Sequence, residues 1–261
     1  MSYAELLDPM SAAVHEVGGL LLKAPRPAPV TSAEEARSVF EALEAPLLAA
    51  LRPRLAALRP GAAWAEEMGT ELPQSGEVWV VDAVDGAVQF LQGMPQYCVS
   101  VALVRDGEPV AAVLHSPLLG ETYRAAAGHG ATRDGQPLAP SPKRDLAVAV
   151  VASSHPPFVG GQPGVADAAG RSLASVAPAV AAVRNLGPTS WQIADAAAGR
   201  LDAFWQFGTD DTNLLPGALV AREAGALVTD ADGRPWRAGA ASFLVAPPAL
   251  HARLLPLLAA R

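Results

Sequence analysis

The feature that most constrains this chain is the run Trp79-Val-Val-Asp82-Ala-Val-Asp85-Gly86. Residues 77–82 form a short apolar segment of strand character that ends in an acidic turn. A glycine directly after the second carboxylate permits a tight turn, in which both side chains and the Val84 carbonyl can converge. Converging oxygen ligands suit a hard cation such as Mg²⁺. A second acidic pair lies upstream in Ala65-Glu66-Glu67. Asp-x-x-Asp-Gly by itself also describes an ordinary acidic turn after a strand, so the rest of the chain must decide.

The flanking pattern predicts two halves. Residues 4–23 carry apolar positions at helical spacing and stop at a Pro-rich break. Thr31 and Ser32 ahead of Glu34 and Glu35 predict a capped helix start, and that helix runs to about residue 58 with a kink or split at Pro53. Strands are expected over 97–104, 109–115 and 121–126, the first two joined by a hairpin at Asp106-Gly107. From about Leu146 the pattern changes to alternating strands and helices. Strands are expected at 147–153, 183–186, 202–206, 227–229 and 243–245, and helices at 162–180, 189–199, 215–225 and 248–260. The expected organisation is an N-terminal α+β half, 1–145, and a C-terminal α/β half, 146–261, forming one compact unit with the site at their junction.

Several function classes are disfavoured. A net charge of −7 is unlike the basic field of a nucleic-acid binder. No apolar run approaches the ~18 residues of a membrane span, so no membrane association is expected. The N-terminal residues carry an early acid and no basic segment, which predicts no signal peptide and a cytoplasmic protein. The single cysteine, Cys98, has no disulfide partner and reads as a small buried residue in a strand. His115 and His129 read as surface or core residues and the tryptophans as core residues, with Trp191, near the expected cleft helix, the one that could instead stack on a ligand.

The acidic motif and its context resemble the inositol monophosphatase family. Asp82-Ala-Val-Asp85-Gly86-Ala87-Val-Gln89-Phe90 is similar to that family's Asp-Pro-Ile/Leu-Asp-Gly-Thr-x-Asn-Phe. Gly93, Pro95, Val99-Ser-Val-Ala-Leu103, Glu121-Thr-Tyr123-Arg-Ala125 and Gly128-His-Gly130-Ala131 continue the match in order. Upstream, Ala65-Glu66-Glu67 looks like the family's Gly-Glu-Glu. Downstream, the stretch from Asn185-Leu-Gly187 to Asp202-Ala203 and that from Pro216-Gly217 to Gly225 look like the family's two later motifs.

The resemblance implies a layered α-β-α-β-α fold, a homodimer and Mg²⁺-dependent hydrolysis of a small phosphorylated metabolite. It implies metal ligands at Glu67, Asp82, the Val84 carbonyl and Asp85, with Asn213 where a further aspartate is expected. It implies catalytic roles for Glu67, Asp85 and Glu34, a water-activating carboxylate placed by its distance from Thr31; Glu44 is the alternative by distance from Glu67. Substrate contacts fall at Gly86, Ala87, Thr189 and Gln206. The sequence departs from the pattern at this same site: Ala87 replaces a threonine, Gln89 an asparagine, Thr212 a tryptophan, Asn213 an aspartate and Gln206 a glutamate. Asp210 and Asp211 stand nearby as possible substitutes. Asparagine is a neutral donor, so one firm Mg²⁺ site is expected rather than two or three. Two readings follow: a divergent phosphomonoesterase that is not an efficient inositol monophosphatase, or a catalytically impaired relative that binds a phosphate ligand or regulates a partner.

Overall fold

The computed structural model describes residues 1–66, 72–73, 75–157 and 159–259. Two helices open the chain, α1 (Tyr3–Lys23) and α2 (Ala33–Leu58). Ser32 caps α2 by accepting from Glu35 N–H, and Glu35 reaches back to Thr31 N–H at 2.8 Å. The split expected at Pro53 does not occur: α2 runs unbroken through Pro46 and Pro53. Leu47, Leu51 and Leu55 explain why, since they form one buried stripe. At about 1.5–3 kcal/mol each, together they are of the size needed to offset the roughly 3 kcal/mol that each of the two interior prolines costs.

The first sheet has seven strands in sequential order: β1 (Ala63–Glu66), β2 (Glu77–Asp85), β3 (Cys98–Arg105), β4 (Glu108–Ser116), β5 (Glu121–Ala126), β6 (Ala131–Arg133) and β7 (Gln136–Pro137). A short helix, α3 (Ala87–Leu91), leaves the end of β2. β1 pairs in parallel with β2, and the other pairs are antiparallel. Both faces of this sheet are buried. Trp79, Val81, Val99 and Val101 pack on α1 and α2, while Val78, Val80, Ala102 and Leu114 pack on the opposite side. The period of two sends alternate residues of one apolar run to two different cores.

The second half supplies β8 (Val150–Ser154), α4 (Val165–Val176), β9 (Ala182–Arg184), α5 (Thr189–Ala197), β10 (Ala203–Phe207), α6 (Asp211–Glu223), β11 (Leu227–Thr229), β12 (Ser242–Ala246) and α7 (Pro248–Ala259). Its five strands lie in the order β11-β12-β10-β8-β9. α5 and α6 are packed between the two sheets, with Ile193, Leu215 and Leu219 in the same core as Val80 and Phe204. Leu250 and Leu254 of α7 and Val176 of α4 cover the far face of the second sheet. The layers are therefore α1/α2, sheet, α5/α6, sheet, α4/α7, as the family resemblance implies.

Three local expectations shift. The helix expected over 162–180 is shorter, Val165–Val176, and gives way to a 3₁₀ turn at Ala177–Ala179, where Pro178 has no N–H to continue the α-helical ladder. The strand expected from Ala147 begins at Val150, because the Asp145 side chain accepts from Ala147 N–H at 3.1 Å and winds 146–148 into a single 3₁₀ turn. The helix expected from Leu215 begins at Asp211, with Pro216 inside it. This earlier start puts Asn213 in the first turn of α6.

Candidate active site

The end of β2 is shaped by a bulge. Asp82 pairs with Ser100 and Asp85 with Cys98, so three steps along β2 match two along β3. The Asp82 carboxylate accepts from Val84 N–H at 2.8 Å, which folds the turn on itself. Gly86 follows at φ +99°, and a Cβ there would lie 2.8 Å from the Gln96 carbonyl oxygen. Only glycine satisfies both demands, and it delivers the chain into α3 at Ala87.

Asp82 and Asp85 are 7% and 4% exposed. Burying carboxylates is costly without compensation. Part of that compensation at Asp85 comes from α5: the Ser190 hydroxyl donates to Asp85 Oδ2, and the Cys98 thiol donates to the same oxygen at 3.6 Å. Burial, and then the Asp85 charge, push the Cys98 thiol well above the usual range, so it stays protonated beside Asp85. Cys98 is the small buried strand residue that the sequence predicts.

α5 is held at both ends. Ahead of it, Gln192 Oε1 accepts from Leu186 N–H at 2.9 Å. Near its other end, Asp195 accepts from the Tyr123 hydroxyl of β5 at 2.7 Å, and Arg200 joins Asp195 and Glu121. Burial raises Asp195 above the ordinary carboxylate range. Trp191 stands edge-on to Tyr123 at 4.9 Å, inside the core.

At the start of α6, Asp210 draws two neighbouring amides together. Its Oδ1 accepts from Asn213 Nδ2 at 2.8 Å and its Oδ2 from Gln206 Nε2 at 2.7 Å. Gln206 also accepts from the Thr189 hydroxyl at 3.4 Å and is wholly buried. Asp211 instead accepts from Gly239 N–H with both oxygens, at 2.8 and 2.9 Å. Burial raises its carboxyl. Of the two neighbouring acids considered as substitutes, Asp210 contacts Asn213 and Asp211 is held on the Gly239 loop.

These elements enclose a cleft of about 560 Å³. Asp85, Gly86, Ala87, Gln89, Thr189 and Asn213 all line it, and so do Ala33, Ala36, Arg37 and Phe40 of α2. Neither α5 nor α6 has a side-chain cap on its first turn among the described residues. At α5, unmade N–H groups and the positive end of the helix dipole suit an anion; at α6 the Asn213 N–H already donates to the Asp210 carbonyl at 3.2 Å, and Asp210 and Asp211 occupy the same end. The donors also suit a hard divalent cation: two buried carboxylates, the Val84 carbonyl and the Asn213 amide oxygen.

Of the predicted site residues, Asp82, Val84, Asp85, Gly86, Ala87, Thr189 and Asn213 are gathered at this end of the molecule, and Gln206 sits just behind Thr189. Glu34 is exposed on α2 and is not part of the cleft lining. Glu44 is half-buried, one turn beyond Phe40. Glu67 lies outside the described residues, and among those described no group of three or more His, Cys, Asp or Glu side chains assembles. Sequence reasoning missed Ser190 and the α2 stripe. The helical phase of 33, 36, 37 and 40 was the available signal for the stripe; for Ser190, 105 residues from Asp85, no local signal exists.

Known proteins share this architecture. Residues 11–261 match the model of the inositol monophosphatase family. An inositol-1-monophosphatase of Rhizobium meliloti is 35% identical over 193 residues, covering 72% of this chain and 71% of that protein. Nus factor SuhB of Pseudomonas aeruginosa is 35% identical over 199 residues, covering 75% and 72%. The crystal structure of extragenic suppressor protein suhB from Bartonella henselae superimposes with a TM-score of 0.81 at 25% identity, over 96% of this chain and 98% of that one. With its layered fold and its Asp82/Asp85 turn, the chain belongs to the inositol monophosphatase family.

Proposed function

We propose that this protein is a Mg²⁺-dependent phosphomonoesterase of the cytoplasm that acts on a small phosphorylated metabolite and assembles as a homodimer. One observation carries the reading: the buried Asp85 carboxylate and the uncapped first turn of α5 open on the same cleft. A cation site and an anion site side by side are what a phosphate monoester requires.

Asp82, Asp85 and the Val84 carbonyl would hold the metal, with Glu67 as a further ligand and Asn213 as a neutral oxygen donor. The chemistry supplied by Mg²⁺ when bound is polarisation of the phosphate and activation of a water. The first-turn N–H groups of α5 orient the phosphate oxygens at Thr189. Ala87 offers no hydroxyl to pass a proton, and Glu34 stands off the cleft as a base. Loss of one such group commonly costs about 10²–10⁴-fold in rate, so slow turnover is expected.

A second reading, a phosphate-ligand binding or regulatory protein, is favoured by the amides of Gln206 and Asn213 hydrogen-bonding to Asp210. One relative bears the name of a factor rather than of a hydrolase.

The test is phosphate release from a panel of small phosphomonoesters in millimolar Mg²⁺, beside EDTA and beside Asp82→Asn. Release that disappears in both controls supports hydrolysis. Equal release with and without EDTA overturns it. Mg²⁺-dependent binding of the same esters without release selects the second reading.

A further inference from the structure

The walls of the cleft say what kind of alcohol the phosphate is esterified to. Ala33, Ala36, Arg37 and Phe40 follow one another at i, i+3, i+4 and i+7, so a single face of α2 forms one bank. Three of the four are apolar. Val88 of α3 and Pro157 stand elsewhere on the lining. Val88 is 69% exposed, the most of any large apolar side chain among the described residues. Val88 therefore stands free beside the Asp85 turn, where a bound ligand can cover it. The acids of the same α2 turn are elsewhere: Glu34 is off the cleft, and Glu35 accepts from Thr31. Among the described residues Asp85 is the only carboxylate on the lining.

Recognition of a polyol needs the reverse, several acceptors and donors aimed at ring hydroxyls, whereas much of the polar lining is already bonded within the protein: Thr189 to Gln206, Asn213 to Asp210 and Ser154 to the His155 carbonyl, with the Gln89 amide remaining on the lining. Gln206 is buried behind Thr189 and bonded to Asp210. Asn185 accepts from Gln192 at 3.3 Å, and His155 Nδ1 is 3.0 Å from the Pro156 carbonyl. Arg37 adds a cation with no ion-pair partner among the described residues, which suits an anionic ligand in a chain of net charge −7. A volume of about 560 Å³ leaves room for an organic group beyond the phosphate.

We propose that the cleft takes the phosphate ester of an alcohol with an apolar or aromatic face, laid between Phe40 on α2 and Val88 on α3, in preference to a polyol phosphate. The proposal rests on the phosphate-ester reading above and names the class of ester.

The experiment compares 2-phenylethyl phosphate with inositol 1-phosphate on the wild-type protein, Phe40→Ala and Val88→Ser. Turnover is read as kcat/KM, and the binding of 3-phenylpropylphosphonate and of the polyol phosphate by calorimetry. The expected result is a preference of about tenfold or more for the phenyl compound, with the ratio reduced several-fold by each variant. Equal use or binding of the two compounds, or variants that leave the ratio unmoved, overturns the proposal. Val88 is exposed, so its substitution decides the matter even if Phe40→Ala does not fold. Should neither ester turn over, hydrolysis alone fails, and the binding ratio still decides the alcohol class.

Discussion

The Ser190 hydroxyl donates to Asp85 Oδ2, which ties the first turn of α5 to the end of β2 across 105 residues of sequence. The relationship joins two layers of the fold at the carboxylate on which the proposed chemistry depends. A hydrogen bond to a charged group contributes about 1.5–3 kcal/mol, and without the hydroxyl Asp85 Oδ2 keeps the weaker Cys98 thiol donor at 3.6 Å. Ser190→Ala should therefore lower the unfolding free energy by about 1–3 kcal/mol in EDTA. If a divalent cation occupies the Asp85 turn, saturating Mg²⁺ should shrink that deficit, since the cation supplies the missing compensation. Denaturant unfolding with and without Mg²⁺ reads both quantities; a deficit unchanged by Mg²⁺ would argue against Asp85 as a ligand.

Gly86 is demanded by more than its backbone conformation. Gly86 and Gly107 have φ of +99° and +81°, but only Gly86 has a backbone oxygen 2.8 Å from where a Cβ would stand; nothing lies within 4 Å at Gly107. Alanine at either position meets about 1–3 kcal/mol of left-handed strain. Gly86→Ala should add a further ~1–3 kcal/mol from the clash with the Gln96 carbonyl. Parallel urea titrations of the two variants check the difference, and equal losses would mean that the turn can relax.

The Asp82/Asp85 turn was legible in the sequence because its chemistry is contiguous: strand, two acids and a glycine within a few residues. The strands at Glu121–Ala126 and Leu227–Thr229 were legible for a similarly local reason, short strand-forming segments bounded by turn residues. β1 was not, since four residues paired in parallel to β2 carry no local signature. The start of α6 was hidden by Pro216, which reads as a first-turn proline but lies inside the helix. The apolar bank of the cleft was hidden for another reason. Phe40 reads as an ordinary member of an Ala/Leu helix, and only the packing of α2 against the first sheet turns that face towards Asp85.

His115 makes stability depend on pH. Its Nδ1 is 3.1 Å from the Thr122 hydroxyl and 3.2 Å from the Glu121 carbonyl, and the His15 ring lies 4.4 Å away. Burial, and then the neighbouring His15, bring its pKa from 6.5 down to about 4. The folded value lies below the unfolded one, so the unfolded chain takes up the proton first as pH falls. The contribution is complete above pH 6.5 and is lost between there and about pH 4. His115→Gln keeps a polar side chain without that titration. Melting temperatures from pH 7.5 to 4.5 should fall more steeply for the wild-type protein than for the variant; parallel curves would remove His115 from the acid limb.

Asp210 sets the polarity of the α6 end of the cleft, because it accepts from the amides of Gln206 and Asn213 at once. In Asp210→Asn the new amide has a single acceptor oxygen, so one of the two donors faces another N–H group in a buried site. A loss of about 1–3 kcal/mol is expected. Adding Asn213→Asp reverses the second bond: the amide at position 210 accepts from Gln206 and donates to the carboxylate at position 213. The double variant should recover most of the loss, an interaction that a double-mutant cycle measures directly. Position 213 lines the cleft, so the relocated carboxylate also faces the proposed metal site. Mg²⁺ should then raise the melting temperature of the double variant more than that of the wild-type protein, as expected when binding to the folded state tightens. Recovery without the extra Mg²⁺ effect would confirm the hydrogen-bond exchange but place the metal away from position 213. No recovery at all would mean that Asp210 holds α6 through contacts other than these two amides.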